Sequence, residues 1–224
     1  MLKSIRIGLL ASGIALVAAC AGTAPPEETY DGLVRVPEAR FGDVYRLPGA
    51  DLTVYRSLGL APCEVAFRKN WLRDQNNASM DLGSRVTQQD VDSIRDALAT
   101  ECDRYFREAL LQPPAYDLVE SFDNGEAVLV LRPSIINLDI NAPDTMGPGR
   151  SRSYTTSAGE MTLSLEAVDG TTGQVLVRVI DRRRGSDSGR MEWTNGVTNR
   201  AEADRILRRW AQQLRSGLDA TVRQ

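Results

Sequence analysis

Asp139, Asn141 and Asp144 set three oxygen ligands within six positions, and calcium gathers ligands of that kind. The calcium loop with its closing glutamate is missing, so a strand end running into a turn is the simpler account. No metal and no cofactor are expected. Glu160, Glu166 and Asp169 are the candidates for paired carboxylates; glycan hydrolysis uses two such groups ~5 to 9.5 Å apart. Alternation turns Glu166 outward and Asp169 opens a turn, so surface positions explain both. Arg182, Arg183 and Arg184, with Arg190, carry forked donors suited to phosphate, partly offset by Asp181 and Asp187. Trp193 and Asn195 stand just before an expected helix start at Asn199, joining an aromatic face to amide donors. Arg68, Lys69 and Trp71 repeat that mix elsewhere. The candidate binding patch is therefore Arg68, Lys69, Trp71, Arg182, Arg183, Trp193, Asn195 and Asn199. The competing account is that Trp71 and Trp193 close the ends of the core. The chain contains no histidine, which removes the commonest catalytic base, metal ligand and pH switch. No catalytic residue is assigned and no enzyme is expected.

The most specific chemistry is at the amino end. Lys3 and Arg6 precede an uncharged apolar stretch over 7–17, and Val17-Ala18-Ala19-Cys20 follows. These are the parts of a secretory signal. The apolar stretch spans roughly 16 Å as a helix, about half of what a membrane crossing needs. The segment resembles a bacterial lipoprotein signal, which implies a lipidated Cys20, cleavage before it and acylation of the new amino group. Ala21 rather than Asp comes next, which by analogy with enteric sorting implies the periplasmic face of the outer membrane. Several acyl chains exceed the two signals that lasting attachment takes. With Cys20 lipidated, Cys63 and Cys102 remain; an oxidising envelope favours a disulfide, and two separate buried thiols fit equally well.

Positioning these residues falls to a chain of 224 residues, 42% hydrophobic and 25% charged, which suffices for one core. Loss of 1–19 takes the formal charge from −3 to −5, and nucleic acid is not an expected partner. The stretch 21–29 (AGTAPPEET) is expected to be a tether reaching roughly 28 Å, followed by a single domain over 30–224. The stretch 51–67 has strand character broken at Ala61-Pro62, and 68–86 is expected to be a loop. Thr87 with Asp90 opens a helix whose stripe runs Val91, Ile94, Leu98, Cys102, Tyr105 and Ala109 until Pro113-Pro114. The stretches 116–119 and 127–131 flank Asn124-Gly125 and are expected to form a hairpin. A loop over 141–158 leads to strands 159–168 and 174–182, paired through the turn at 169–173. After a loop over 183–198, Asn199 with Glu202 is expected to cap a terminal helix. The fold class that follows is α+β: a mostly antiparallel sheet of about five strands, two helices on one face, and a right-handed crossover from the first strand.

Five stretches in this order carry a family resemblance: Phe67-Arg68-Lys69-Asn70-Trp71, Leu138-Asp139-Ile140-Asn141-Ala142-Pro143-Asp144, Ser157-Ala158-Gly159-Glu160-Met161-Thr162-Leu163, Thr172-Gly173-Gln174-Val175-Leu176 with Asp181-Arg182-Arg183, and 193–203 (WTNGVTNRAEA). Together they resemble the bacterial lipoprotein family labelled domain of unknown function 3313. The resemblance implies a lipid-anchored envelope protein and brings no established activity or catalytic residue to carry over. The expected function is a non-catalytic module that faces the periplasm and binds an envelope protein or cell-wall polymer. A cell-wall glycan or peptide hydrolase and a purely structural lipoprotein are the competing classes.

Overall fold

In a computed structural model that describes residues 25–37, 39, 41–78, 85–122, 127–141, 153–155, 159–185, 192–194 and 196–222, the three- and four-residue spacing after Thr87 becomes helix α2 (Gln88–Leu111). Thr87 caps it, accepting from the Asp90 N–H while the Asp90 carboxylate takes the Thr87 N–H. Ahead of it come β1 (Val34–Val36), β2 (Asp43–Arg46), β3 (Ser57–Leu60), β4 (Glu64–Phe67) and helix α1 (Trp71–Ala78). After it come β5 (Asp117–Val119), β6 (Val128–Ile140), β7 (Ser153–Thr155), β8 (Gly159–Asp169), β9 (Val175–Arg184), β10 (Glu192–Thr194) and α3 (Gly196–Thr221).

The fold is α+β and mostly antiparallel, with more elements than the expected five strands and two helices. Among the described residues an eight-stranded sheet runs β1-β2-β9-β8-β6-β3-β5, with β4 also on β6, and β7 pairs with β10 apart from it. The break at Ala61-Pro62 divides one strand into β3 and β4. Both lie parallel to β6, as a crossover through α2 requires. The long β8–β9 hairpin forms as expected. Ile135, Leu163 and Asp181 stand opposite one another on the face that α2 and α3 cover. There Leu131, Ile135, Leu163 and Leu165 meet Cys102, Phe106, Leu110, Leu207 and Trp210, all buried. Each such side chain contributes ~1.5–3 kcal/mol on burial. The other face carries Arg132, Ser134, Ser164, Glu166 and Arg178, the polar side of a one-sided sheet.

Four expectations need correction. Residues 116–119 and 127–131 do not pair as a hairpin: β3 lies between β5 and β6, parallel to both. An Asn-Gly signal is local and cannot register a third strand with unmet hydrogen bonds; residues 123–126 lie outside the described residues. The stretch 68–86 is not all loop, because α1 starts after Asn70 turns the chain at φ 64°. The loops over 141–158 and 183–198 are not independent, since β7 and β10 join them with Trp193 opposite Tyr154. Finally, α3 begins at Gly196, so Asn199 lies within its first turn and is not the cap. The amino end is held early. The Arg35 N–H donates to the Glu27 carbonyl at 2.8 Å and the Thr29 N–H to Leu33 at 2.9 Å.

Candidate functional site

A groove of about 950 Å³ opens between the first half of α2, the start of α3 and the far ends of β6 and β8. Its floor is apolar, with Ile94, Leu98, Leu138, Ile140, Met161 and Ile206; its rim carries Glu101, Asp139, Glu160, Asn199, Arg200, Glu202 and Asp204. The strand ends that build it are irregular for a visible reason. Asn137 sits at φ 53°, where the β6–β8 register shifts between Ile136 and Asp139. Gly159 opposite has φ 136°, and a Cβ there would run into the Asp139 carbonyl oxygen. Only glycine permits so close an approach.

Arginines fix the rim charges. Arg68 Nε donates to Asp139 at 2.8 Å and its Nη1 to Asp74 at 2.8 Å. Arg182 Nη2 donates to both Glu160 oxygens at 2.6 and 2.7 Å, with Arg184 at 3.4 Å. Arg182 beside it holds the Glu160 carboxyl below the usual carboxylate range. Arg205 meets Glu202 at 2.7 Å. Asp139, Glu160 and Glu202 of the rim are thus held in ion pairs. Among the described residues no cluster of His, Cys, Asp or Glu is arranged to hold a metal, and Asp144 lies outside them.

The predicted patch is brought together in part. Arg68 through Asp139, Arg182 through Glu160, and Asn199 directly all belong to the groove. Trp71 does not offer an exposed aromatic face. It is 1% exposed, its ring 4.4 Å from that of Phe67, and its indole N–H donates to the Ile140 carbonyl at 3.2 Å. With Gln75 Nε2 donating to the same oxygen at 2.9 Å, α1 buttresses the groove wall from behind. Arg183 turns inward to Asp181 at 2.8 Å, and the same carboxylate oxygen accepts the Trp210 indole N–H at 2.8 Å. Arg183 is therefore tied to a buried carboxylate rather than to the groove. Lys69 is exposed beside α1. Trp193 has its backbone in β10, while Cys20 and Asn195 lie outside the described residues.

Ile94, Leu98 and Met161, expected as core only, also floor the groove. The small residues Ser93 and Ala97, one turn apart beside the apolar stripe, were the available signal. Cys63 and Cys102 are joined in a disulfide with Cα atoms 6.1 Å apart, which ties the start of β4 to α2. No helix among the described residues is long and apolar enough to cross a membrane.

A family model described as "Protein of unknown function (DUF3313)" matches residues 23–214. Nothing among the curated proteins matches the chain. Among solved structures the chain is similar to the PelC dodecamer from Paraburkholderia phytofirmans, at 8% identity and a TM-score of 0.37, over 76% of this chain and 95% of that one. It is also similar to a Xanthomonas campestris protein of the family labelled DUF330, at 13% identity and a TM-score of 0.42, over 83% and 93% of the two chains.

Proposed function

We propose that this chain, which belongs to the DUF3313 family, is a lipid-anchored envelope lipoprotein: a non-catalytic binding module held through Cys20 on the periplasmic face of the outer membrane. The observation that carries the reading is the amino-terminal segment, with two basic residues, an apolar centre too short to span, and small residues leading into Cys20. The groove between α2 and α3 would take part of an envelope protein or a cell-wall polymer. Its apolar floor and ion-paired rim suit recognition, since apolar area supplies affinity and a few placed charges supply orientation.

A cell-wall hydrolase would need one carboxyl kept protonated near neutrality. Glu160 is shifted the other way by Arg182, and Asp169 is shifted the same way by the Tyr55 hydroxyl and the Thr172 N–H. Neither of these two carboxyls is therefore poised as the general acid of a hydrolase. The test is crosslinking in cells of the full chain and of an Ala97→Trp variant. Ala97 is an exposed groove residue, so the added ring fills the groove without entering the core. The reading expects one specific partner with the parent chain and its loss with Ala97→Trp at unchanged thermal stability. Equal capture by both overturns the groove assignment, and an envelope defect on deletion with no definable partner favours the structural class.

A further inference from the structure

The amino-terminal residues fold back along the edge of the main sheet. Glu27 to Thr29 are hydrogen-bonded to the far side of β1, and the turn that follows is pinned by Asp31, whose two oxygens accept from Arg178 at 2.9 and 2.8 Å. Arg178 is in turn held by Glu166 at 2.9 Å. At the tip of that anchored turn stands Tyr30, 96% exposed, its ring 5.9 Å from the Arg178 guanidinium. Val34 and Val36 on β1 are also exposed. Three of the exposed large apolar side chains among the described residues thus share one ten-residue hairpin, whereas Tyr45, Tyr55, Tyr105 and Tyr116 are buried.

The chain length says what they face. From Cys20 to Pro26 is seven residues, which reach at most ~25 Å fully extended. A lipidated Cys20 therefore keeps the β1 edge within ~25 Å of the head groups. The groove is farther off. Through Arg46 and Val177, Val34 stands level with Ala167 of β8; the groove's Met161 is three strands across, roughly 14 Å at ~4.8 Å per strand, and six residues along β8, roughly 20 Å at ~3.3 Å per residue. We propose that the β1 edge, with Tyr30 at its tip, rests on the lipid head-group layer and turns the groove away from the bilayer. Tyrosine suits that layer, with a ring that leaves water and a hydroxyl that stays in it. The inference rests on the lipidation of Cys20.

The experiment uses the full lipidated protein on vesicles of phosphatidylethanolamine and phosphatidylglycerol containing a nitroxide-labelled lipid. A fluorophore is attached through Tyr30→Cys or, on the exposed side of α2, through Asp96→Cys. Both positions are exposed enough to leave folding intact, and the remaining cysteines are blocked by lipid or disulfide. Quenching about threefold stronger at position 30 than at position 96 is expected. Protein that floats with the vesicles but is quenched equally at both positions, or more at 96, overturns this inference alone. Protein that carries no lipid and does not float overturns the anchored reading together with it.

Discussion

Trp71 is buried against Phe67 and donates to Ile140, so Trp71→Ala leaves a cavity and removes one of the two side-chain donors to that carbonyl, Gln75 remaining as the other. A loss of about 3–5 kcal/mol in chemical denaturation is expected, as for other large aromatic truncations. A variant of unchanged stability would show that the ring is not part of the core. The charged residues make a second prediction. Arg178, then Thr29, lower Asp31 from its usual 3.8 to about 2. Tyr55 and the turn amides lower Asp169, and Arg182 lowers Glu160. Each group binds protons more weakly folded than unfolded. Their stabilisation is whole above about pH 5 and is lost as pH falls through about 4 toward 2. With no histidine in the chain, denaturation midpoints should stay flat between about pH 5 and 8 and drop only below that window. An inflection near pH 6.5 would contradict this. At this scale the sequence shows which residue types are present but not which partner each finds. Asp181 had no signal marking it as the shared acceptor of Arg183 and Trp210, which lie on different elements.

Two of the links that join α2 to its surroundings are a disulfide within the helix and a buried arginine at its carboxyl end. The Cys63–Cys102 disulfide closes a sequence separation of 39, worth about 4 kcal/mol in the chain-entropy account. Reduction should lower the unfolding free energy by about that much, and alkylation should shift the protein on a gel only after reductant. At the carboxyl end Arg215 of α3, nearly buried, donates to the carbonyls of Ala109, Leu110, Gln112 and Pro114 and pairs with Asp219. It satisfies the orphan carbonyls at the α2 terminus. Arg215→Met should cost about 2–4 kcal/mol, because the carbonyls of Ala109, Gln112 and Pro114 lose their side-chain donor, Leu110 keeping the Tyr116 N–H, and Asp219 loses its partner. The elements that were legible in the sequence carry their instructions locally: the Thr87–Asp90 box, and the alternation and tight turn of β8 and β9. The others depend on distant partners. β5 and β6 are separated by β3, α1 is anchored on Ile140 of β6 by Trp71 and Gln75, and β7 finds β10 across the intervening β8–β9 hairpin. The groove inherits that dependence, since its residues come from two helices and two strand ends.

At the scale of the whole molecule, the proposed account gives the sheet two jobs: its β1 edge, where the described chain begins, faces the membrane, and the ends of β6 and β8 under α2 and α3 carry the groove. In the proposed account a membrane-held body presents a recognition surface to the periplasm, with arginine–carboxylate pairs setting its charge. Everything in that account begins with the processing of one cysteine. Mass analysis of the amino terminus of protein isolated from its native membrane tests it most directly. The account predicts a chain that starts at Cys20 and carries a diacylglyceryl thioether and an amide-linked acyl group, absent in Cys20→Ser. A mature terminus without fatty acid would contradict it.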